Sequence, residues 1–301
     1  MKDALECEKY DALLLFEMAA IQYCPPSSYK RLIVNIEDPL SIKLKLMANL
    51  TVWTLWQRVK LRLLAKLTAN YERSLLPRVA KVLLLSASDV QDMREQGEYG
   101  NLSCMPYGVQ VRDLADVMDY ESRKRVIVFS GNMYHPPNVD GILFFLKDVF
   151  SFVLQECPSA QLWIVGTKPD DRISKEAAKF GSQVVITGRV DDIEGYIKSA
   201  SVSICPVRLK VGVQTKIIEA LSWGTPVVTT SAGSNGIGGV SGIHYWVEDK
   251  PIQFAHKVVE LLQGVGWTAL SEEGRKLVIE RFSWERSVAQ LERQIESVVS
   301  S

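Results

Sequence analysis

The sequence predicts an α/β protein of two parts, each built around a parallel sheet with helices on its faces. Short apolar runs rich in β-branched residues end at Gly, Pro or Ser, and stretches of helical length separate them. The 301 residues are also enough to bury two cores. This alternation is typical of doubly wound sheets, which bind ligands outside the carboxyl ends of their strands.

The regular part of the pattern begins at residue 125. The predicted strands are RVIVFSG (125–131), QLWIVGT (161–167), QVVITGRV (183–190), SVSICPV (201–207) and TPVVTTS (225–231). Predicted helices cover 138–155, 171–180, 192–200, 213–223 and 252–264. Ligand-binding residues are therefore expected in the loops after these strands.

The first part is thinner and ends in a polar connection. Strands are predicted at 10–17, 30–38, 81–86 and 103–109, with a long helical region across 41–78. The stretch 110–124 is polar and charged, as a linker would be. The predicted organisation is a partial first domain at 1–112, a linker at 113–124, a second domain at 125–282 and a final helix at 283–301.

The amino-acid composition limits which kinds of binding partner and which cellular location are expected. Lys plus Arg and Asp plus Glu each number 35, so no overall field favours nucleic acid, which we exclude as a partner. Five widely spaced cysteines form no C-x-x-C pair, which indicates reduced thiols and no metal site. No signal peptide and no uncharged apolar run of about 18 residues is present, so a cytoplasmic protein is expected.

The segment CPVRLKVGVQTKIIEALSWGTPVV (205–228) carries the most chemistry. Gly212 precedes a predicted helix start, Lys216 lies in its first turn, and Glu219 follows on nearly the same face. Helix N–H groups and a lysine can bind a diphosphate, and a deeper glutamate can accept hydrogen bonds from ribose hydroxyls. The alternative is an ordinary surface Lys–Glu pair.

That segment belongs to a longer pattern. FSGNMYHPPNVDGILFF (129–145), PSAQLWIVG (158–166) and VVITGRVDDIEGYIKSASVSICPVR (184–208) precede it. Together they resemble family 4 glycosyltransferases over about residues 80–299, especially the exopolysaccharide-associated sugar transferases. The resemblance implies the GT-B fold: a doubly wound Rossmann-like donor domain after a Rossmann-like acceptor domain, whose N-terminal part this sequence lacks.

The activity is also implied by that resemblance. It is transfer of a sugar from a nucleotide diphosphate sugar to a glycan or lipid-linked acceptor, in polysaccharide or cell-envelope biosynthesis. Retention of anomeric configuration is implied, with no metal and no other cofactor. Two alternatives stay open: a non-catalytic nucleotide-binding fragment, and a nucleotide-sugar epimerase, for which the sequence offers no suited acid/base set.

Residue roles follow position by position. Lys216 on the phosphates and Glu219 on the ribose are the implied catalytic residues. The other expected donor-binding residues are Gly131, Arg189, Val190, Arg208, Gly212 and Val213. Arg189 is equally well explained as a solvated arginine at a strand end. The loop 234–239 is expected either to line the phosphate pocket or to be a plain mobile loop.

The sequence departs from the family at two places. Val211 stands where many members carry another glutamate, although the exopolysaccharide branch also lacks it. NMYHPPN replaces an Arg and a Lys near the first glycine, which leaves His135 as the titratable candidate there, or as a solvated loop residue.

Two helices have roles outside the donor site. The predicted helix at 50–71 places Val52, Trp56, Val59, Leu63 and Leu67 on one stripe, with Arg58, Lys60, Arg62 and Lys66 on other faces. Such a helix either packs on the core or lies on an anionic membrane, at its inner face in this case. The final stretch, 281–298, is expected to cross back onto the first domain.

Overall fold

The fold contains two parallel sheets. The computed structural model describes residues 10–50, 52–113, 117–210 and 212–300. The first sheet has the order β1-β2-β3-β4, and the second has the order β10-β9-β8-β5-β6-β7. The strands are β1 Leu13–Phe16, β2 Leu32–Glu37, β3 Lys81–Leu84, β4 Leu102–Cys104, β5 Lys124–Ser130, β6 Gln161–Val165, β7 Val184–Gly188, β8 Ala200–Cys205, β9 Val227–Thr229 and β10 Trp246–Val247.

Helices connect the strands. They are α1 Leu40–Met47, α2 Leu55–Leu75, α3 Ala87–Gln96, α4 Pro136–Phe144, α5 Phe150–Glu156, α6 Asp171–Ala177, α7 Ile193–Ser199, α8 Thr215–Ser222, α9 Pro251–Leu262, α10 Trp267–Phe282 and α11 Trp284–Val299. A π-helical turn, Phe145–Val149, joins α4 to α5. All named strand pairs are parallel, so the predicted α/β class and its two Rossmann-like sheets are confirmed.

The second sheet is buried on both faces. Side chains of β5 and β6, such as Phe129 and Ile164, pack with Phe145 and Phe254 from the surrounding helices. Strands buried on both faces read as continuous apolar runs, which is why the sequence predicted them well. A second buried cluster joins the two halves, since Leu84 of β3 and Ile217 of α8 both belong to it.

The helical region of the first half is two helices rather than one. α1 ends at Met47 and α2 begins at Leu55, where Thr54 and Gln57 form a capping box. Each side chain of that pair accepts from the other residue's backbone N–H, which fixes a new helix start. α1 and α2 are therefore separate helices, and they pack against each other.

The connection between the halves ends at Arg123, a buried arginine that is held by hydrogen bonds. β5 begins at Lys124, one residue earlier than predicted, and Arg123 before it is buried. The Arg123 guanidinium donates to the Thr225 hydroxyl at 2.6 Å and to the Trp223 carbonyl at 2.8 Å. Residues 114–116 of the predicted linker lie outside the described residues.

The last helix lies against the first sheet. α10 and α11 are separated at Ser283, which is extended and whose hydroxyl caps the new helix. The Gln290 amide of α11 donates to the Cys104 carbonyl of β4 at 2.6 Å, and the Ser287 hydroxyl donates to the Pro106 carbonyl at 3.1 Å. The Lys81 ammonium of β3 donates to the Ser297 hydroxyl at 2.6 Å.

Candidate functional site

A cavity of about 380 Å³ lies where the carboxyl ends of β2 and β5 meet the start of α8. We call it the central cavity. Its lining includes five residues expected at the site: Gly131, Gly212, Val213, Lys216 and Glu219. The topology brings them together because the loops after parallel strands meet at one edge of a sheet.

Gly131 lines the central cavity at a position where a side chain would fill space next to Lys216. Its φ of 148° is a backbone conformation that side-chain-bearing residues rarely adopt. A Cβ there would lie 2.9 Å from Asn138 Nδ2 and 3.1 Å from Lys216 Nζ. A glycine is therefore required for the backbone to approach a ligand beside Lys216.

Lys216 is a buried cation whose hydrogen-bond partner is neutral. Only 9% of the residue is exposed, and Nζ donates to Asn138 Oδ1 at 2.7 Å. Nζ also lies 4.4 Å from the centre of the Phe129 ring. Burial lowers the pKa of Lys216, and the nearby Cys205 and Glu219 side chains act in the opposite direction. A desolvated ammonium facing a cavity is well placed to bind an anion.

The start of α8 adds backbone donors next to that ammonium. Its N-cap residue, Gln214, makes no side-chain capping hydrogen bond. The first N–H groups of a helix need partners from outside it, and they favour negative charge. Lys216 and the helix start therefore form one anion-binding corner.

Glu219 lies one turn deeper and borders two cavities. Besides the central cavity it lines a flanking cavity of about 240 Å³, together with Arg112, Trp223 and Trp284. Burial raises the pKa of Glu219, Lys216 lowers it, and Glu194 raises it further. A carboxylate between two cavities can accept hydrogen bonds from a diol that bridges them.

Arg208, which is expected in the donor pocket, forms an ion pair outside the lining of the central cavity, and its contact with the donor stays a prediction. Its Nε and Nη2 atoms donate to the two carboxylate oxygens of Asp140 at 2.9 and 2.8 Å. The Asp140 side chain is 1% exposed, and a carboxylate so buried needs a cationic partner. Arg208 does not line the central cavity.

Arg189 and Val190 also lie outside the lining of the central cavity. Arg189 is exposed, and Val190 packs on a small cluster around Val128 and Val165. The loop that they begin reaches both the central and the flanking cavity at Ile193. The expected contact of this loop with a base stays a prediction.

The remaining expectations fall as follows. His135 lines the central cavity, and its pKa is lowered by desolvation and by the charges of Lys43 and Lys216. Gly236 and Gly238, from the predicted glycine-rich loop, line a different cavity. Val211 lies outside the described residues.

Sequence reasoning missed the wall that the first half supplies. Asp38 follows β2, Lys43 lies in α1, and their side chains form an ion pair at 2.7 Å that lines the central cavity. Gly212 comes so close that a Cβ would lie 2.1 Å from Asp38 Oδ1. The available signal was an acid directly after a buried strand.

A second contact holds the loop before α8. The buried Asp89 carboxylate accepts from the Gly212 N–H at 3.3 Å and from the Ser86 hydroxyl at 2.5 Å. Burial raises the pKa of Asp89. This carboxylate of the first half therefore positions the loop that leads into Lys216.

These features define a protein of two Rossmann-like halves with a cavity between them, into which a buried lysine and a helix start face. Comparison with known proteins agrees with this fold. Residues 124–264 match the model of the family described as glycosyl transferases group 1. Over that segment, a little under half of its length, the chain is similar to the glycosyl transferases group 1 family.

Relatives extend the comparison. An uncharacterized 44.6 kDa protein in the cps region of Klebsiella pneumoniae is 25% identical over 146 residues, which cover 46% of this chain and 37% of that protein. A TarM variant from S. aureus, solved in complex with Fondaparinux, alpha-GlcNAc-glycerol and UDP, has a TM-score of 0.71 at 14% identity, covering 97% of this chain and 57% of its own. Anabaena HepE in complex with UDP and glucose has a TM-score of 0.67 at 14% identity, with 88% and 71% covered. The chain thus spans little more than half of the TarM length.

Proposed function

We propose that this chain transfers a sugar from a nucleotide diphosphate sugar to a glycan or lipid-linked acceptor. The observation that carries the proposal is the Lys216 ammonium, which is buried at an open helix start and bound only by a neutral amide among the described residues. In the reaction, the acceptor hydroxyl oxygen bonds to the anomeric carbon, and its proton passes to an oxygen of the departing diphosphate. The bond from that carbon to the diphosphate breaks, and the diphosphate leaves with the electron pair.

The donor would lie along α8. The diphosphate takes the corner formed by Gly131, Lys216 and the helix start, and Glu219 accepts from the ribose hydroxyls. The base then occupies the flanking cavity beside Trp223 and Arg112, whose guanidinium lies 4.6 Å from the Trp223 ring centre. Flat groups of this kind suit a planar base.

Stabilisation of the leaving diphosphate would come from these residues. Lys216 and the α8 N–H groups meet the charge that develops on the phosphate oxygens, so we propose that no metal ion is needed. Retention of anomeric configuration is part of the proposal, as the family resemblance implies. A role in polysaccharide or cell-envelope biosynthesis is supported by the cps-region relative.

The acceptor side would work at a membrane surface. Trp56, Val59, Leu63 and Leu67 of α2 are 82%, 51%, 58% and 56% exposed, so packing on the core does not account for them in the described structure. Val52, expected on the same stripe, is instead partly buried and packs against the core. Within the described ranges, every helix is too short or too polar to cross a membrane. We propose peripheral contact of α2 with the inner face of a membrane.

The test is turnover of nucleotide diphosphate sugars, with and without acceptor glycans, after a thermal-shift screen of nucleotide diphosphates. We expect one nucleotide diphosphate to raise Tm, and its sugar conjugate to be transferred or slowly hydrolysed. Glu219→Ala should abolish both effects, while Glu292→Ala, an exposed glutamate on α11, should not. Binding without transfer or hydrolysis would favour the non-catalytic alternative, and release of an epimerised free sugar would favour an epimerase.

A further inference from the structure

A surface groove of about 660 Å³ lies between α1 and α2, beside the end of α3. Its charged lining residues are all cationic: Lys45, Arg62, Lys66 and Arg73. We call these four residues the basic groove. The rest of its described lining is polar or small, with Ser41, Asn49, Ala65, Ala69 and Gln96.

The charges of the basic groove are only partly compensated in the described structure, by the attraction between Arg73 and the buried Glu72 carboxylate. Arg73 donates to the neutral Asn70 side chain at 2.7 Å, and the four residues form no ion pair with any described carboxylate. All four are exposed, so holding them in one groove costs mutual repulsion. An anion seated among them would relieve it.

The basic groove runs beside an apolar stripe, by which we mean Trp56, Val59, Leu63 and Leu67. On a helix, residues three and four positions apart are neighbours. Lys66 follows Leu63 by three positions, and Arg62 follows Val59 by three, so the cations border the stripe along one side. Exposed apolar and basic residues side by side on one helix are the arrangement of helices that lie in a membrane interface.

The groove is separate from the reaction site. Ser41 and Lys45 on one face of α1, with Asn49 just after the helix, line the groove, whereas Leu40 and Lys43 face a cavity on the other side. α1 therefore stands between the basic groove and the central cavity. A ligand in the groove would not compete with the donor.

We propose that the basic groove binds phosphate headgroups of anionic bilayer lipids while the apolar stripe enters the boundary between headgroups and acyl chains. This rests on the proposed membrane contact and names the chemistry that selects the membrane. The phosphates neutralise the four cations, and the stripe leaves water. Lipid in the membrane thereby orients the first half over the bilayer, with its cavities open to an acceptor.

The experiment is co-sedimentation with vesicles of phosphatidylcholine alone and of phosphatidylcholine with phosphatidylglycerol. We expect binding to the anionic vesicles. Each lysine or arginine at an anionic surface contributes about fivefold, so Lys45→Glu with Lys66→Glu should reduce binding at least tenfold. Lys30→Glu with Lys175→Glu makes the same charge change at exposed lysines elsewhere and should retain most of it. Circular dichroism and Tm confirm that each variant is folded.

Several outcomes would overturn the inference. Equal loss in both charge variants means that net charge alone drives binding. Equal binding to neutral vesicles means that the groove selects nothing. Full competition by glycerol 3-phosphate means that the ligand is a free phosphate, and self-association of the lipid-free protein through the stripe, lost in Leu63→Ser, means that a second copy covers it.

Different measurements test lipid binding by the basic groove and donor binding in the central cavity, so one can be refuted without the other. Nucleotide diphosphate binding, measured by calorimetry without lipid, should be the same in the groove variant and the unmodified chain. Absence of nucleotide binding in both would refute the donor site and leave the vesicle result standing. Loss of nucleotide binding in the groove variant alone would show that the two sites are not separate.

Discussion

The two walls of the central cavity carry their charges differently. On the second-sheet wall, the Lys216 ammonium is buried and bonded to a neutral amide. On the first-sheet wall, Lys43 pairs with Asp38 at 2.7 Å, and both side chains stay partly exposed. An ion pair at the surface changes stability little and has little charge left to attract a ligand. A buried ammonium without an anionic partner lowers the stability of the fold, and a bound anion restores that stability. This difference supports our proposal that the second-sheet wall binds the donor phosphates.

Arg208 gives the same contrast within the second half. It lies close to Lys216 in sequence, yet its charge is taken by the buried Asp140 carboxylate. We therefore expect Arg208 to stabilise the fold and Lys216 to bind a ligand. Substitutions can separate these two roles.

The largest expected effect is on nucleotide binding by Lys216→Met. Removing one side of a desolvated charge contact costs about 2–5 kcal/mol, so affinity for a nucleotide diphosphate should fall roughly 30-fold to 1,000-fold or more. The free energy of unfolding should stay level or rise, because the buried charge is gone. Calorimetry and urea denaturation measure the two. Lys175→Met, at an exposed lysine, is the control; unchanged affinity in Lys216→Met would refute the contrast.

Arg208→Ala should act on stability instead. It leaves the Asp140 carboxylate buried without this partner, which we expect to lower the free energy of unfolding by about 3 kcal/mol. Combining it with Asp140→Asn should restore part of that loss. Urea denaturation measures both. A large loss of nucleotide affinity in a folded Arg208→Ala protein would restore the original expectation of a donor contact.

Gly131→Ala should affect both properties moderately. A residue held at that φ, with its Cβ against Asn138, costs about 1–3 kcal/mol of stability, and nucleotide affinity should fall as the lysine contact shifts. Gly266→Ala is the matched control, because its φ is 67° but nothing lies within 4 Å of its Cβ. It should cost about 1 kcal/mol and leave affinity intact. Equal affinities in the two variants would contradict a close approach at Gly131.

The smallest expected effect is a pH dependence from His135. Its pKa lies below the usual value in the free protein, so the imidazole is neutral above pH 7. A bound diphosphate raises that pKa, and the complex then holds more proton than the free protein. Affinity for a nucleotide diphosphate sugar should therefore rise a few-fold between about pH 7.5 and 5.5, and His135→Asn should flatten the profile. An unaltered slope in the variant would remove His135 from the site.

Much of the second half could be predicted from the sequence, for a physical reason. Its strands are buried on both faces, so they read as apolar runs, and the loops after them had to converge. Gly131, Lys216 and Glu219, which a local motif and a family resemblance single out, line one cavity as that convergence predicts, and their roles stay predictions.

Other features depend on contacts between distant parts of the chain. Asp38 and Lys43 line the same cavity as Lys216 only after the two halves pack. Arg208 forms its ion pair with Asp140, which lies 68 positions earlier in the sequence. Helix α2 shows a further limit. Its amphipathic pattern predicted two faces but could not say whether the apolar one would be covered, and the structure leaves it exposed.

The most direct test of the central claim is a crystal structure of the chain with a nucleotide diphosphate sugar. The account predicts diphosphate oxygens within hydrogen-bond distance of Lys216 Nζ and of the first N–H groups of α8, with the ribose hydroxyls on Glu219. A donor bound elsewhere, with the Lys216 ammonium still held only by Asn138, would contradict it.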